Sequence, residues 1–247
     1  MKRKRKLKRS IKFYIIELIF IILIIFSSIK IINWYRDNNR NHKILKDLDI
    51  YIDLDKIKEE EEKIDFKGLK SINKNTVAYL KVNNTKIEIP VVKHTDNSFY
   101  LNHNFKREYN ISGWVFADYK NKFDGTDKNI IIYGHNTKDG SMFGTLKNVL
   151  DKKWYSEKEN LNITLITEKE ESNYEIFSIY TIKPEDYYIT TSFNDGEFLK
   201  FLKKLKSRSI NNFNIDLKEE DTILTLSTCS GDGTKRVVVH AKKIEKE

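Results

Sequence analysis

Two side chains near the C-terminus are of types that can do chemistry together. Cys229, the only cysteine in the 247-residue chain, ends the alternating run Thr222-Ile-Leu-Thr-Leu-Ser-Thr-Cys229. A run of β-branched and aliphatic residues with period two reads as a strand. The turn formers Ser-Gly-Asp-Gly-Thr follow, and Arg236 opens a second strand that continues to Lys242. A strand, a short loop and a strand predict antiparallel neighbours, with the thiol and the guanidinium at one end of a sheet. The thiolate is the nucleophilic form of cysteine, and a fixed cation nearby favours it.

Such a nucleophile needs a proton carrier, and the chain has five histidines. His42 lies in a charged N-terminal stretch. His94 and His103 sit among polar loop residues and read as solvated. His240 shares a strand face with Arg236, but four residues at about 3.3 Å each hold the two about 13 Å apart. His135 is the candidate: it follows the apolar run Asn129-Ile-Ile-Ile-Tyr-Gly134 and precedes Asn136-Thr-Lys-Asp-Gly140. Working side chains are commonly placed where a buried strand gives way to a loop.

These groups must be positioned by a scaffold, and the pattern predicts one that is mainly β. Val77–Val82 and Lys86–Val92 alternate around Asn83-Asn84 and form a hairpin. Gly113–Ala117 and Asn129–Gly134 read as short buried strands, and Asn162–Thr167 and Tyr174–Tyr180 as further ones. Ser141–Leu150 reads as a short helix. Another helix, near 195–206, carries Phe198, Leu199, Phe201, Leu202 and Leu205 after a cap at Asn194 or Asp195. About eight strands with few, short helices favour a closed or nearly closed β-barrel, expected over residues 76–247.

The net charge is +9, but residues 1–12 carry eight Lys and Arg and no acid, which leaves +1 for the remainder. That distribution excludes a basic nucleic-acid face. Residues 13–32, Phe13 to Ile32, are almost wholly apolar, and about 20 residues suffice to cross ~30 Å of hydrocarbon. The cations on the N-terminal side predict an uncleaved signal-anchor with a cytoplasmic N-terminus and everything after Ile32 outside. Residues 33–75 space Ile44, Leu45, Leu48, Ile52, Ile57 and Ile64 at helical intervals and read as a membrane-proximal stalk of one or two amphipathic helices, with Gly68, Asn73 and Asn75 at its end. A lone thiol outside the cell makes no internal disulfide and is either inert or kept for reactivity. No His/Cys/Asp cluster has metal spacing, and Asp124-Gly-Thr-Asp127 is too short for a calcium loop.

Taken together, Thr225-Leu-Ser-Thr-Cys229, Arg236 after six intervening residues, and Ile131-Ile-Tyr-Gly-His135-Asn resemble a sortase, most closely one of class B. Pro90-Val-Val, Asp96-Asn97 before Tyr100-Leu101, Met142-Phe143-Gly144 and Val238-Val-His-Ala-Lys242 fit the same pattern. So do the anchor, the helical leader and the helix near 195–206. The Cys229-to-Arg236 loop is shorter than in many class B members.

The resemblance implies an eight-stranded sortase barrel and a cofactor-free cysteine transpeptidase. Its partners would be surface proteins with a C-terminal sorting signal of the Asn-Pro-x-Thr-Gly/Asn kind, and an amine of peptidoglycan or its lipid-linked precursor. Cys229 would form a thioacyl enzyme, His135 would move the proton, and Arg236 would donate to the substrate backbone or the oxyanion. Ser227 and Thr228 flank the cysteine and one could line the pocket. Asn97 would help orient the site, and Tyr187, Tyr188 and Ile189 would lie where the signal peptide is held. With reference pKa values of ~8.5 for a thiol and ~6.5 for an imidazole, fewer than ~1% of molecules hold thiolate and imidazolium together at pH 7 if the two titrate independently. Two alternatives stay open: a wall cross-linker of the L,D-transpeptidase type, disfavoured by the six intervening residues, and a non-catalytic anchored scaffold.

Overall fold

Eight strands close into a barrel in the order β1-β2-β3-β4-β7-β8-β6-β5. They are β1 Thr76–Val82, β2 Glu88–Lys93, β3 Phe116–Ala117, β4 Asn129–His135, β5 Asn162–Ile166, β6 Glu171–Ile182, β7 Ile223–Cys229 and β8 Arg236–Ile244. Among the described residues four α-helices accompany them: α1 Ile11–Leu48, α2 Phe66–Ile72, α3 Lys152–Tyr155 and α4 Glu197–Ser207. The structure, a computed structural model, describes residues 11–52, 64–229 and 234–244. The basic segment 1–10, the stretch with Ile57, and the turn Ser230–Gly233 lie outside the described residues.

Most ladders are antiparallel, but β2 pairs with β3 and β4 with β7 in parallel. β4 is paired on both sides and, apart from its last residue, buried throughout. This is why Ile130-Ile-Ile-Tyr133 reads as an unbroken apolar run instead of an alternating one. Leu80, Val91, Ile131, Leu165, Ile176 and Leu226 are among the side chains of the main core. A second cluster, with Phe177, Phe198, Leu202, Leu205, Ile223 and Val238, lies where α4 covers β6, β7 and β8.

Four local expectations give way. Of the strand expected over Gly113–Ala117, only Phe116–Ala117 pairs as β3. Gly113 takes φ +57, and a Cβ there would lie 2.3 Å from the Tyr100 carbonyl oxygen, so the chain turns against residues 100–101 before it can join a sheet. The helix expected over Ser141–Leu150 is only the 3-10 turn Leu146–Leu150, because Met142 is left-handed at φ 49 and Gly144 N closes a turn on Ser141 O. Its apolar residues Met142, Phe143, Leu146 and Val149 are buried all the same.

Nor is α4 capped by the side chain of Asn194 or Asp195. Its N-cap is Gly196 at φ 73, and the amides of Phe198 and Leu199 donate instead to the carboxylate of Glu219 at 3.3 and 2.6 Å. Gly68, expected at the end of the leader, lies inside α2, where its amide donates to the Asp65 carboxylate.

The boundary drawn at residue 32 is not a break in structure. α1 runs unbroken from the apolar segment into the body. Its first part is exposed and is long and apolar enough to cross a membrane. Its last turns carry buried Asp37, Asn38, Asn41, Ile44 and Leu48. Asn110 Nδ2 donates to Asp37 O at 2.9 Å, Ile111 N to the Asp37 carboxylate at 3.0 Å, and Asn41 Nδ2 to Gly113 O at 3.1 Å.

Candidate active site

Strand register brings the three candidate residues to one end of the barrel. In the parallel β4–β7 ladder, His135 pairs with Cys229 and Tyr133 with Ser227. In the antiparallel β7–β8 ladder, Thr225 pairs with His240 and Ser227 with Val238. Carried on by two residues, that register sets Cys229 across from Arg236. The Cys229 backbone is therefore flanked by His135 on one side and Arg236 on the other.

His135 is the last residue of β4, where the strand gives way to its loop. It is partly exposed, and its Nε2 lies 2.8 Å from the carbonyl oxygen of Leu101. A carbonyl only accepts, so Nε2 carries a proton and Nδ1 is the nitrogen left to gain or lose one. The loop after His135 is held tightly. Phe143 N and Thr137 N both donate to His135 O at 3.0 Å, and Thr137 Oγ1 donates to Ser141 O. Gly134 is required here, since a Cβ would stand 2.6 Å from the Phe143 ring.

The Leu101 carbonyl is itself supported. Asn97 Nδ2 donates to the Asp118 carboxylate at 2.8 Å, and Asn97 Oδ1 accepts from Tyr119 N at 3.0 Å. The same Asp118 oxygen accepts from Tyr133 OH at 2.9 Å. Asn97 thus ties the segment bearing Leu101 to the strand bearing His135. His94 and His103, expected in solvent, are half-buried instead. They sandwich Phe99 at centroid distances of 4.4 and 4.0 Å, and so stiffen the same segment.

Arg236 donates through Nη1 to the hydroxyl of Tyr188 at 3.1 Å, and that hydroxyl lies 2.9 Å from Ser227 Oγ. Thr228 Oγ1 accepts from Val237 N at 2.8 Å. Ser227 and Thr228 are each 1% exposed. The expectation that one of them lines the pocket is replaced by internal roles: Thr228 clamps β7 to β8, and Ser227 braces Tyr188. Tyr187–Ile189 form a 3-10 turn, with Tyr188 fully buried and Ile189 half-buried.

Behind this turn lies a polar chain that the sequence reading passed over. Thr225 Oγ1 donates its one proton to Asn129 Oδ1 at 2.7 Å, so the 2.9 Å contact with His240 Nδ1 has the imidazole as donor. His240 Nε2 then accepts from Tyr180 OH at 2.8 Å, and Tyr180 accepts from Tyr187 OH at 3.0 Å. At the other end, Asn129 Nδ2 donates to Thr190 O at 2.9 Å. The chain leaves the 187–190 turn and returns to it. Full burial keeps His240 neutral and lowers it from the usual histidine range to about 3. Burial also raises the Tyr180 phenol, with Tyr187 adding to the rise. The signal was present as a polar Asn129 opening an apolar strand and a histidine inside Val237-Val-Val-His-Ala241.

A closed barrel whose central parallel pair carries a cysteine beside a histidine, with an arginine on the next strand, is the arrangement of a cysteine transpeptidase. Residues 80–244 match the Sortase domain family. The sortase B of Listeria monocytogenes is 37% identical over 188 residues, covering 74% of this chain and 75% of that protein. The sortase B of Staphylococcus aureus is 31% identical over 236 residues, covering 94% and 96%. Among solved structures, sortase B from B. anthracis in complex with AAEK1 superposes with a TM-score of 0.77 at 33% identity, over 86% of this chain and 100% of that one. Clostridium perfringens sortase B gives 0.68 at 40%, over 72% and 99%. The chain belongs to the sortase family and is a cysteine transpeptidase of its class B type.

Proposed function

We propose that Cys229, His135 and Arg236 form the catalytic set of this transpeptidase and that it acts on an Asn-Pro-x-Thr-Gly/Asn-like C-terminal sorting signal. The single observation that carries the assignment is the register that pairs His135 with Cys229 and that, continued two residues past the Ser227–Val238 pair, sets Arg236 across from it. The Cys229 thiolate attacks the threonine carbonyl carbon, forming a C–S bond and an oxyanion to which the Arg236 guanidinium donates. His135 as imidazolium gives its Nδ1 proton to the departing amine as the C–N bond breaks, leaving a thioacyl enzyme. An amine of peptidoglycan or its lipid-linked precursor then attacks, loses a proton to His135, forms the new amide and releases the thiolate. Asn97 positions His135 through the segment that bears Leu101, Ile189 borders the signal peptide, and the buried Tyr188 beside it holds Arg236. The uncleaved helix within 13–32 holds the barrel outside the membrane with the N-terminus in the cytoplasm, residues 33–75 form the leader, and 76–247 the catalytic domain.

The experiment is to incubate the full chain with sorting peptides and read the mass of Cys229-containing fragments. A thioacyl adduct that an added amine discharges is the expected result. No adduct with any such peptide would reject the assignment. Cys229→Ala should abolish cleavage, and His135→Ala and Arg236→Ala should each lower it by orders of magnitude with the fold retained. A near-normal rate in either would remove that residue from the set.

A further inference from the structure

The apolar part of α1 ends at Ile32, and the helix is already docked on the body at Asp37. At 1.5 Å per residue this leaves about 7.5 Å of helix between them. That equals the depth of the polar headgroup layer on one side of a bilayer, roughly 5–8 Å. The body is therefore fixed to a rigid rod at headgroup height.

A cleft of about 460 Å³ lies at this level, lined by Lys30, Arg36 and Arg40 from α1 and by Tyr109 and Ile111 from the body. Because Tyr109 and Ile111 share the cleft with Lys30, the body reaches down to the last turn of the apolar segment itself. Both are open to solvent, at 64% and 51%, as is Tyr35 at 63%. Tyrosine at a membrane boundary presents an apolar ring and a polar tip to the two media it separates.

The cleft's charges fit the same medium. Among the described residues Arg36 donates to its neighbour Asn33 at 3.2 Å, and Arg40 reaches Glu108 at a loose 3.9 Å. The one acid in the cleft, Asp37, is taken up by Ile111 N. Cations beside exposed apolar residues at that depth suit a phosphate flanked by acyl chains.

We propose that this cleft binds the phosphate headgroup of anionic glycerophospholipids, and that Tyr109 and Ile111 seat the catalytic body in the membrane interface. The body then rides on the bilayer at one fixed tilt. His42 Nε2 lies 3.0 Å from the carboxylate of Asp139, in the loop that follows His135. His42 is ten residues past Ile32, so that loop is held about 15 Å along α1 from the hydrocarbon edge. A site at that height meets substrates that are themselves still held by the membrane. The proposal rests on the reading of residues 13–32 as a membrane anchor.

The test uses the full chain in nanodiscs containing phosphatidylglycerol. Cys229→Ser removes the native thiol, and Tyr109→Cys or Ile24→Cys supplies a single site for a nitroxide whose depth is read by power saturation. The label at 109 is expected within about 5 Å of the phosphate plane and that at 24 deep in hydrocarbon. A water-exposed label at 109 with a buried one at 24 overturns this proposal and leaves the anchor intact. Water exposure at both sites overturns the anchor reading, and the proposal with it. Spin–spin broadening at 109 would assign the face to a second copy of the chain instead. Adding Arg36→Gln with Arg40→Gln should shift the 109 label outward by several ångströms, and an unchanged depth would overturn the role of the cations.

Discussion

The hydroxyl of Tyr188 stands 3.1 Å from the Arg236 guanidinium and 2.9 Å from Ser227 Oγ, so one buried phenol joins the first residue of β8 to β7. Tyr188→Phe keeps the buried ring and removes only that joint. A hydrogen bond to a charged group contributes about 1.5–3 kcal/mol, so kcat/KM on a sorting peptide should fall roughly ten- to a hundredfold. The melting temperature should move by only a few degrees. Unchanged kinetics would show that Arg236 is held by other contacts.

His240 makes stability depend on pH. Its folded-state value of about 3 lies below the ordinary 6.5, so between those values the unfolded chain binds a proton that the native chain does not. Stability contributed by the neutral imidazole is complete above pH 6.5 and declines as pH falls towards 3. The slope approaches ~1.4 kcal/mol per pH unit, giving a loss of about 2 kcal/mol at pH 5. Urea unfolding at pH 5 and 7.5 measures it, and His240→Gln should flatten the difference.

Gly134→Ala puts a methyl group 2.6 Å from the Phe143 ring. Overpacking of this kind costs typically ~1–3 kcal/mol, and here the strain falls on the loop that orients His135, so turnover should drop along with stability. Gly125→Ala is the control. Its φ of +94 strains the backbone, but nothing lies within 4 Å, so it should lower stability by about 1 kcal/mol or more with turnover intact.

Asn97 and Tyr133 donate to the same oxygen of Asp118. Asn97→Ala and Tyr133→Phe should therefore be non-additive in kcat, with a coupling of about 0.5–3 kcal/mol in a double-mutant cycle. Additive effects would mean that the segment bearing Leu101 and the strand bearing His135 are set independently.

The sequence by itself determined the elements with a strong period and the residues with unusual chemistry. Alternation in Val77–Val82, the apolar run of β4 and the single cysteine each carry their signal locally. Local signals failed where a distant partner decides. Met142 and Gly113 adopt positive φ because the chain must turn against other segments, and the α4 amides are capped by Glu219, some twenty residues away.

Only the tertiary structure decided which residues meet. Pairing of β4 with β7 in parallel joins segments almost a hundred residues apart, and no spacing rule reads that register from the chain. His240 shows the same limit. From sequence it is a histidine about 13 Å along a strand from Arg236. In the fold it is fully buried between Tyr180 and Thr225, because a hydrogen bond accepted from β6 and one donated to β7 compensate the burial of its ring.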